Sequence, residues 1–125
     1  MEQKTATKVL IGEKLSKWKG KKGYLKTSVT LIELSKTLGI NRTYLSNYVN
    51  EKYHHNFNGW VNRMRIKEAM KLMSSHKAIP LSTVAEKVGF TDLAHFSKQF
   101  KIIEGKSPSQ WKKANVPPLA KKKLE

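Results

Sequence analysis

The chain has 125 residues, of which 25 are Lys or Arg and 9 are Asp or Glu, for a formal net charge of +16. This excess predicts a polyanionic partner, and duplex DNA, RNA or an anionic membrane surface would each suit it. No cysteine is present, which excludes a disulfide scaffold and a thiolate metal site. No apolar run reaches the roughly 18 residues of a membrane span, and no secretory signal peptide is expected.

Helical patterns cover the first half of the chain. Residues 1–7 are expected to be a flexible segment, and residues 8–19 form an amphipathic helix with Ile11, Leu15 and Trp18 on one face. The glycines and lysines of residues 20–23 interrupt it.

Capping residues then mark the next two helices. Thr30 and Glu33 predict a capping box that opens a helix to about Leu38. Asn41 can cap a helix over residues 42–52.

A long connecting helix and three shorter ones are predicted beyond a polar loop at residues 53–56. Residues 58–74 favour one helix of order 25 Å at 1.5 Å per residue. Pro80 stands at the start of a fifth helix. Thr91 or Asp92 can cap a sixth, which ends near residues 104–105.

The last predicted helix begins at Ser107, where a serine cap, a proline at the first helical position and Gln110 at the third coincide. Residues 115–125 are expected to be a disordered basic tail, and its final Leu124-Glu125 resembles a cloning scar.

Two segments of the chain repeat one another: residues 30–40, TLIELSKTLGI, and residues 80–90, PLSTVAEKVGF. Each carries a small residue, Ser35 or Ala85, four positions before a glycine, Gly39 or Gly89. Two helices that cross closely need a small side chain at the crossing and a turn residue that accepts positive φ. The repeat therefore indicates two helix-turn-helix units, and hence two adjacent DNA contacts within one chain.

The two turns differ in length. The offset between the repeats is 50 residues up to the glycines and 51 residues from Leu45 and Phe96 onwards. The second turn is therefore predicted to be one residue longer.

The second repeat resembles the DNA-binding domain of the AraC/XylS family of bacterial transcription regulators. The residues that carry the resemblance are 88–101, VGFTDLAHFSKQFK, followed by Gly105, Ser107-Pro108 and Trp111. Weaker similarity extends it over residues 8–113. The chain departs from the family pattern at Ile102-Ile103, where a more polar pair is commoner.

The resemblance implies an all-α fold of about seven helices, with two helix-turn-helix subdomains at residues 8–56 and 77–114 joined by a linker helix at 57–76. It also implies that the second helix of each unit enters one of two successive major grooves, about 34 Å apart. The residues expected at base edges are Arg42, Thr43, Ser46 and Asn47 on the first reading helix and Leu93, Ala94, Ser97 and Lys98 on the second. Tyr44, Arg63, Arg65, His95, Lys101 and Lys106 are expected to contact phosphates or to brace the fold.

Residue types suggest an A·T-leaning target. Arginine is the commonest reader of guanine, and only Arg42 of the three arginines lies on a reading helix. Asn47 suits adenine, while Thr43, Leu93 and Ala94 offer apolar contact to thymine methyl groups.

The function expected is sequence-specific binding of double-stranded DNA for transcriptional regulation, with RNA polymerase as a further partner on the family's pattern. The alternative is a basic amphipathic module that binds RNA or anionic membranes nonspecifically. An enzyme is disfavoured because no nucleophile–base pair is evident. No metal, cofactor or small-molecule ligand is expected, since His54 and His55 lack a spaced third ligand.

Family members commonly join this domain to an effector-binding, dimerisation or sensor portion. The chain is expected to be either a stand-alone small regulator or, as we favour, the output domain of a longer regulator, with any dimerisation made through another domain. Its location is expected to be cytoplasmic, at the bacterial nucleoid, with a membrane-embedded sensor as one form of the longer protein.

Overall fold

The computed structural model describes residues 2–117, with side chains from residue 6 onwards. Within that range it contains seven α-helices, one short 3-10 helix and no strand, so the predicted all-α fold is confirmed. In chain order the elements are α1 (Glu2–Gly20), η1 (Gly23–Leu25), α2 (Leu31–Leu38), α3 (Arg42–Tyr53), α4 (Phe57–Ser75), α5 (Leu81–Lys87), α6 (Leu93–Glu104) and α7 (Pro108–Asn115).

The chain divides into two compact units between Asn62 and Arg63, a point inside α4. Unit 1 contains α1, η1, α2, α3 and the first residues of α4, and unit 2 contains the rest. The subdomain and linker bounds predicted from the sequence stay predictions.

In unit 1, polar side chains fix where the helices start and stop. The Thr30 hydroxyl accepts a hydrogen bond from the Glu33 amide at 3.1 Å, which forms one half of the predicted capping box. The Lys14 ammonium of α1 donates a hydrogen bond to the Leu38 carbonyl at 2.6 Å. Leu38 ends α2, so this bond gives a partner to a carbonyl that has none within the helix. The buried side chains beneath are Ile11, Leu15, Leu34, Leu45, Val49, Phe57, Trp60 and Val61.

Unit 2 follows the same logic with a more aromatic core. Ser107 and Gln110 complete the predicted capping box of α7, with Pro108 at its first turn. Three phenylalanine rings lie in a row, with centroids 5.5 Å apart from Phe90 to Phe96 and 5.7 Å apart from Phe96 to Phe100. Trp111 continues the row 6.1 Å beyond Phe100 and so attaches α7 to α6.

The two helix-helix turns repeat each other in detail. Gly39 and Gly89 have φ angles of 66° and 101°, in the range that favours glycine. The amide after each glycine donates to the carbonyl of the small crossing residue: Ile40 to Ser35 at 3.0 Å, and Phe90 to Ala85 at 3.0 Å. The predicted extra residue in the second turn is confirmed, because the cap of α3 is two residues after its glycine and the cap of α6 is three.

The structure differs from the prediction at both ends of the chain. Helix α1 begins at Glu2 rather than at residue 8, since residues 2–7 contain neither the glycine nor the proline that would stop a helix. The basic tail was expected from residue 115, yet Asn115 still belongs to α7 and Val116 is buried. Burial of this apolar side chain stabilises the end of α7. Residues 118–125, with the predicted scar, lie outside the described residues.

A tight corner connects α1 to η1. Lys22 adopts left-handed backbone angles with φ of 56°, and Gly23 follows it directly beneath the Trp18 ring. A Cβ atom at Gly23 would meet Nε1 of that indole, so only glycine allows the backbone to approach this closely. The ring in turn contacts Tyr24 at 6.2 Å and Trp60 at 5.8 Å between centroids.

Gly23→Ala is expected to lower the free energy of unfolding by about 1–3 kcal/mol, the usual cost of adding a methyl group to a packed site. Gly20→Ala is the matched control, since a Cβ at Gly20 would meet nothing within 4 Å and Ala favours the helix that ends there. Chemical denaturation of both variants measures the difference. Equal stability of the two would contradict the close approach of Gly23 to Trp18.

Candidate nucleic-acid interface

Helix α3 has one buried face and one open face. Its cap, Asn41, accepts hydrogen bonds from the Thr43 and Tyr44 amides at 2.8 and 3.2 Å, which leaves the first turn well formed. Leu45 and Val49 are fully buried and fix the rotation of the helix about its axis. The four predicted base-edge residues of this helix point away from that core: Arg42, Thr43 and Asn47 are exposed, and Ser46 is half-buried.

Helix α6 repeats this arrangement in unit 2. The Asp92 carboxylate accepts the His95 amide at 2.7 Å, and Phe96 and Phe100 are fully buried. The predicted base-edge residues are again on the open side: Leu93, Ala94 and Lys98 are exposed, and Ser97 is half-buried. We call α3 and α6 the reading helices; each presents four such residues on its own unit.

Two further residues share these open faces. Asn50 lies four positions after Ser46, is exposed, and donates its side-chain amide to the Ser46 carbonyl at 3.0 Å. Ile102 lies four positions after Lys98 and is 63% exposed, which is unusual for isoleucine. Residues four positions apart share a helix face, so the sequence could have predicted Asn50 from Ser46 and Ile102 from Lys98.

Most of the predicted phosphate contacts are accessible. Tyr44, Arg63, His95, Lys101 and Lys106 are all exposed. Tyr44 and His95 occupy equivalent positions in the first turns of the two reading helices, and the His95 ring lies edge-on to Phe90 at 5.2 Å.

Arg65 differs from the others, because its side chain is only 7% exposed. Its guanidinium lies 5.6 Å from the centre of the Phe90 ring, a cation–π geometry. Burial lowers the pKa of Arg65, since the apolar surroundings disfavour the charged form. Of the two roles predicted for Arg65, bracing the fold is the one that this burial supports.

The same structure limits other kinds of site. Among the described residues no group of three or more His, Asp or Glu side chains is placed to hold a metal ion. Within residues 2–117 no helix combines the length and the apolar character needed to cross a bilayer.

Comparison with known proteins assigns the chain to a family. A family model described as a helix-turn-helix domain matches residues 34–114. One curated relative is an uncharacterized HTH-type transcriptional regulator, YisR of Bacillus subtilis, at 34% identity over 90 residues. The match covers 72% of this chain and 31% of YisR, so the chain spans about a third of the length of that relative.

Solved structures share the fold. The C-terminal domain of AraT, a response regulator from Geobacillus stearothermophilus, superposes with a TM-score of 0.78 at 23% identity, over 87% of this chain and 88% of that domain. The DNA-binding domain of AdpA, determined in complex with a target DNA, gives a TM-score of 0.72 at 16% identity, over 83% of this chain and 90% of that one. These likenesses show that the chain has the fold of an AraC-type DNA-binding domain. The family match over residues 34–114 shows that the chain belongs to the AraC/XylS family of transcription regulators.

Proposed function

We propose that this chain regulates transcription by binding double-stranded DNA sequence-specifically, with α3 and α6 entering two adjacent major grooves. The observation that carries the proposal is the duplicated geometry of the reading helices. Each is capped at its first turn, fixed by two fully buried side chains, and open on the opposite face. Such a helix presents its N-terminal side chains to base edges without rearrangement.

Charge supports the same partner. The net charge of +16 attracts a phosphate polymer and makes binding depend on salt. The exposed side chains of Arg63, Lys101 and Lys106 are the phosphate contacts that we propose, and they would set the register of the reading helices on the duplex.

We infer an A·T-leaning target from the chemistry of the open faces. Leu93 is 42% exposed at the first turn of α6, and Ala94 beside it is also exposed. Neither can hydrogen-bond to a base through its side chain, but both can contact thymine methyl groups. On α3, Asn47 suits adenine and Arg42 suits a single guanine.

The alternative of a nonspecific amphipathic module is less well supported. Ile11 and Leu15, which form the apolar stripe of the first helix, are 2% and 1% exposed, so that face is already occupied by the core of unit 1. Contact with RNA polymerase, a cytoplasmic location and attachment to a sensor domain stay predictions from the family resemblance.

Selection of binding sites from random duplex DNA tests the proposal. We expect enriched sites with two half-sites about 10 base pairs apart, because two successive major grooves on one face are separated by one turn. Inserting about 5 base pairs between the half-sites should abolish binding, since it rotates one groove to the opposite side. Failure to enrich any motif would contradict specific binding, and enrichment of a lone half-site would contradict two-groove reading.

Thymine methyl contact by Leu93 can be tested in the second half-site. Replacing a contacted thymine by deoxyuridine removes only the methyl group, and we expect an affinity loss of about fourfold, from about 0.8 kcal/mol per buried methyl-sized group. Leu93→Ala should bind more weakly and should no longer distinguish thymine from uracil. If Leu93→Ala still distinguished thymine from uracil, this contact would be ruled out. Ile32→Ala, which changes an exposed residue of α2, is the control and should keep the discrimination.

Two arginines of α4, Arg63 and Arg65, allow phosphate contact and fold stability to be tested separately. Arg63→Ala is expected to leave stability unchanged and to reduce the slope of log affinity against log salt by about 0.9, the value for one neutralised phosphate. Arg65→Ala should instead lower the free energy of unfolding by about 1–3 kcal/mol, the usual range for disrupting a buried contact. Salt titrations and denaturation of both variants measure the two effects, and identical profiles would contradict the assigned roles.

A further inference from the structure

A lysine-rich surface in unit 1 lies apart from the individual phosphate contacts proposed above. Between residues 14 and 32 the chain carries six lysines and no acidic residue. Five of the six lie where α1 ends and η1 begins: Lys17, Lys19, Lys21, Lys22 and Lys26. We call these five residues the corner lysines.

The fold concentrates the corner lysines on a small surface. The Lys21 amide donates to the Lys17 carbonyl at 3.1 Å, the Lys22 amide to the Lys19 carbonyl at 2.9 Å, and the Lys26 amide to the Gly23 carbonyl at 3.4 Å. These are helix and turn bonds, so residues 17–26 form tightly wound backbone that carries all five lysines. Four of the five side chains are exposed, and Lys19 is half-buried.

The corner is adjacent to the C-terminal end of the first reading helix. The Lys19 ammonium lies 5.1 Å from the centre of the Tyr53 ring, at the last residue of α3. The Lys52 ammonium lies 6.0 Å from the same ring, so Lys52 adds a further positive charge to this surface. The Tyr48 hydroxyl raises the pKa of Lys52, chiefly by accepting a hydrogen bond from it, which favours the charged ammonium.

Several contacts attach α1 and its C-terminal corner to α3 and α4. The Tyr53 and Trp60 rings stack at 4.8 Å, and Trp18 packs against Trp60 at 5.8 Å. Lys8 of α1 forms an ion pair with Glu51 of α3 at 3.2 Å. The backbone that carries the lysines is therefore already ordered before binding, which lowers the entropic cost of ordering this segment on the DNA.

Helix electrostatics explains only part of this concentration of charge. Lys17 and Lys19 lie in the last turn of α1, where they complement the partial negative charge of the helix end. Lys21, Lys22 and Lys26 lie beyond the helix, where this explanation does not apply, and a concentration of positive charge attracts a polyanion. The family match begins at residue 34, so α1 and η1 fall outside it.

We propose that the corner lysines are an additional phosphate-binding surface, which grips the DNA backbone beside the groove that α3 reads. The proposal rests on the proposed function. Thr43 and Tyr53 are ten residues apart on α3, which places the corner about 15 Å along the helix from its first turn. Duplex DNA carries one negative charge per about 1.7 Å of its axis, so phosphates beyond the bases read by that turn are within reach.

The test compares two double variants of the full chain on the operator obtained by selection. Lys17→Gln with Lys21→Gln removes two exposed corner charges, and Lys71→Gln with Lys113→Gln removes two exposed charges from unit 2. We expect the corner variant to reduce the slope of log affinity against log salt by about 1.8, twice the value per phosphate, and to keep the base preference. The control should change the slope by less than half as much.

Replacing single phosphates of the DNA by uncharged methylphosphonates shows which phosphates the corner lysines contact. Methylphosphonates placed singly around the first half-site should weaken binding of the parent chain at a few positions. The corner variant should lose this sensitivity at those positions, whereas the control should retain it.

Three results would overturn the proposal. They are a corner variant with the parent slope, an equal reduction in both variants, or a corner variant that loses affinity for transfer RNA but not for the operator. Absence of any preferred operator for the parent chain would instead refute the proposed function, so the two failures are distinguishable.

Discussion

Both units depend on the close crossing of two helices at a glycine turn. In each, the amide after the glycine donates to the carbonyl of the small residue four positions before the glycine, at 3.0 Å. This bond ends the first helix and directs the chain into the second, while Ser35 or Ala85 at the crossing keeps the helices near. A larger side chain there would push the reading helix outward, and the rotation set by Leu45 and Val49 or by their counterparts would be lost. The open faces of α3 and α6 are therefore consequences of the turns as much as of the helices themselves.

Aromatic side chains stabilise the two units in different ways. In unit 2 the rings form a row through the core from Phe90 to Trp111, with the Arg65 guanidinium over its first member. In unit 1 the cluster is nearer the surface: Trp18 and Tyr53 are half-buried, and lysine ammonium groups lie over the Tyr53 ring. Ring faces attract cations in both units. The cation of unit 2, Arg65, is buried with its ring, whereas the lysines over the Tyr53 ring are half-buried or exposed. In unit 2 the aromatic side chains form the core, whereas in unit 1 they also contact lysine side chains near the surface.

Helices, caps and turns could be predicted because each depends on a few neighbouring residues. Asn41, Asp92 and Ser107 each cap the helix expected of them, since a cap needs only a short polar side chain before a helical pattern. The burial of Arg65 could not be predicted in this way: it depends on Phe90, which is 25 residues away and reaches it only through the tertiary fold. The approach of Gly23 to Trp18 is similar, because the sequence predicts only that residues 20–23 interrupt the first helix. Both features depend on tertiary packing rather than on local propensity, so the local sequence pattern could not predict them.

Lysine and arginine suit different kinds of DNA contact, and the chain has few arginines. The chain has 25 basic residues, and all but Arg42, Arg63 and Arg65 are lysines. A lysine ammonium is a compact, strongly hydrated charge on a flexible stem, suited to phosphates whose exact position varies, whereas the arginine fork suits one fixed planar partner. With Arg65 committed to the core and Arg63 off the reading helices, Arg42 is left as the single fork on an open face. In the proposed function, attraction to the DNA backbone comes mainly from many lysines without regard to sequence. Discrimination comes from Arg42 and from the few short or apolar side chains on α3 and α6.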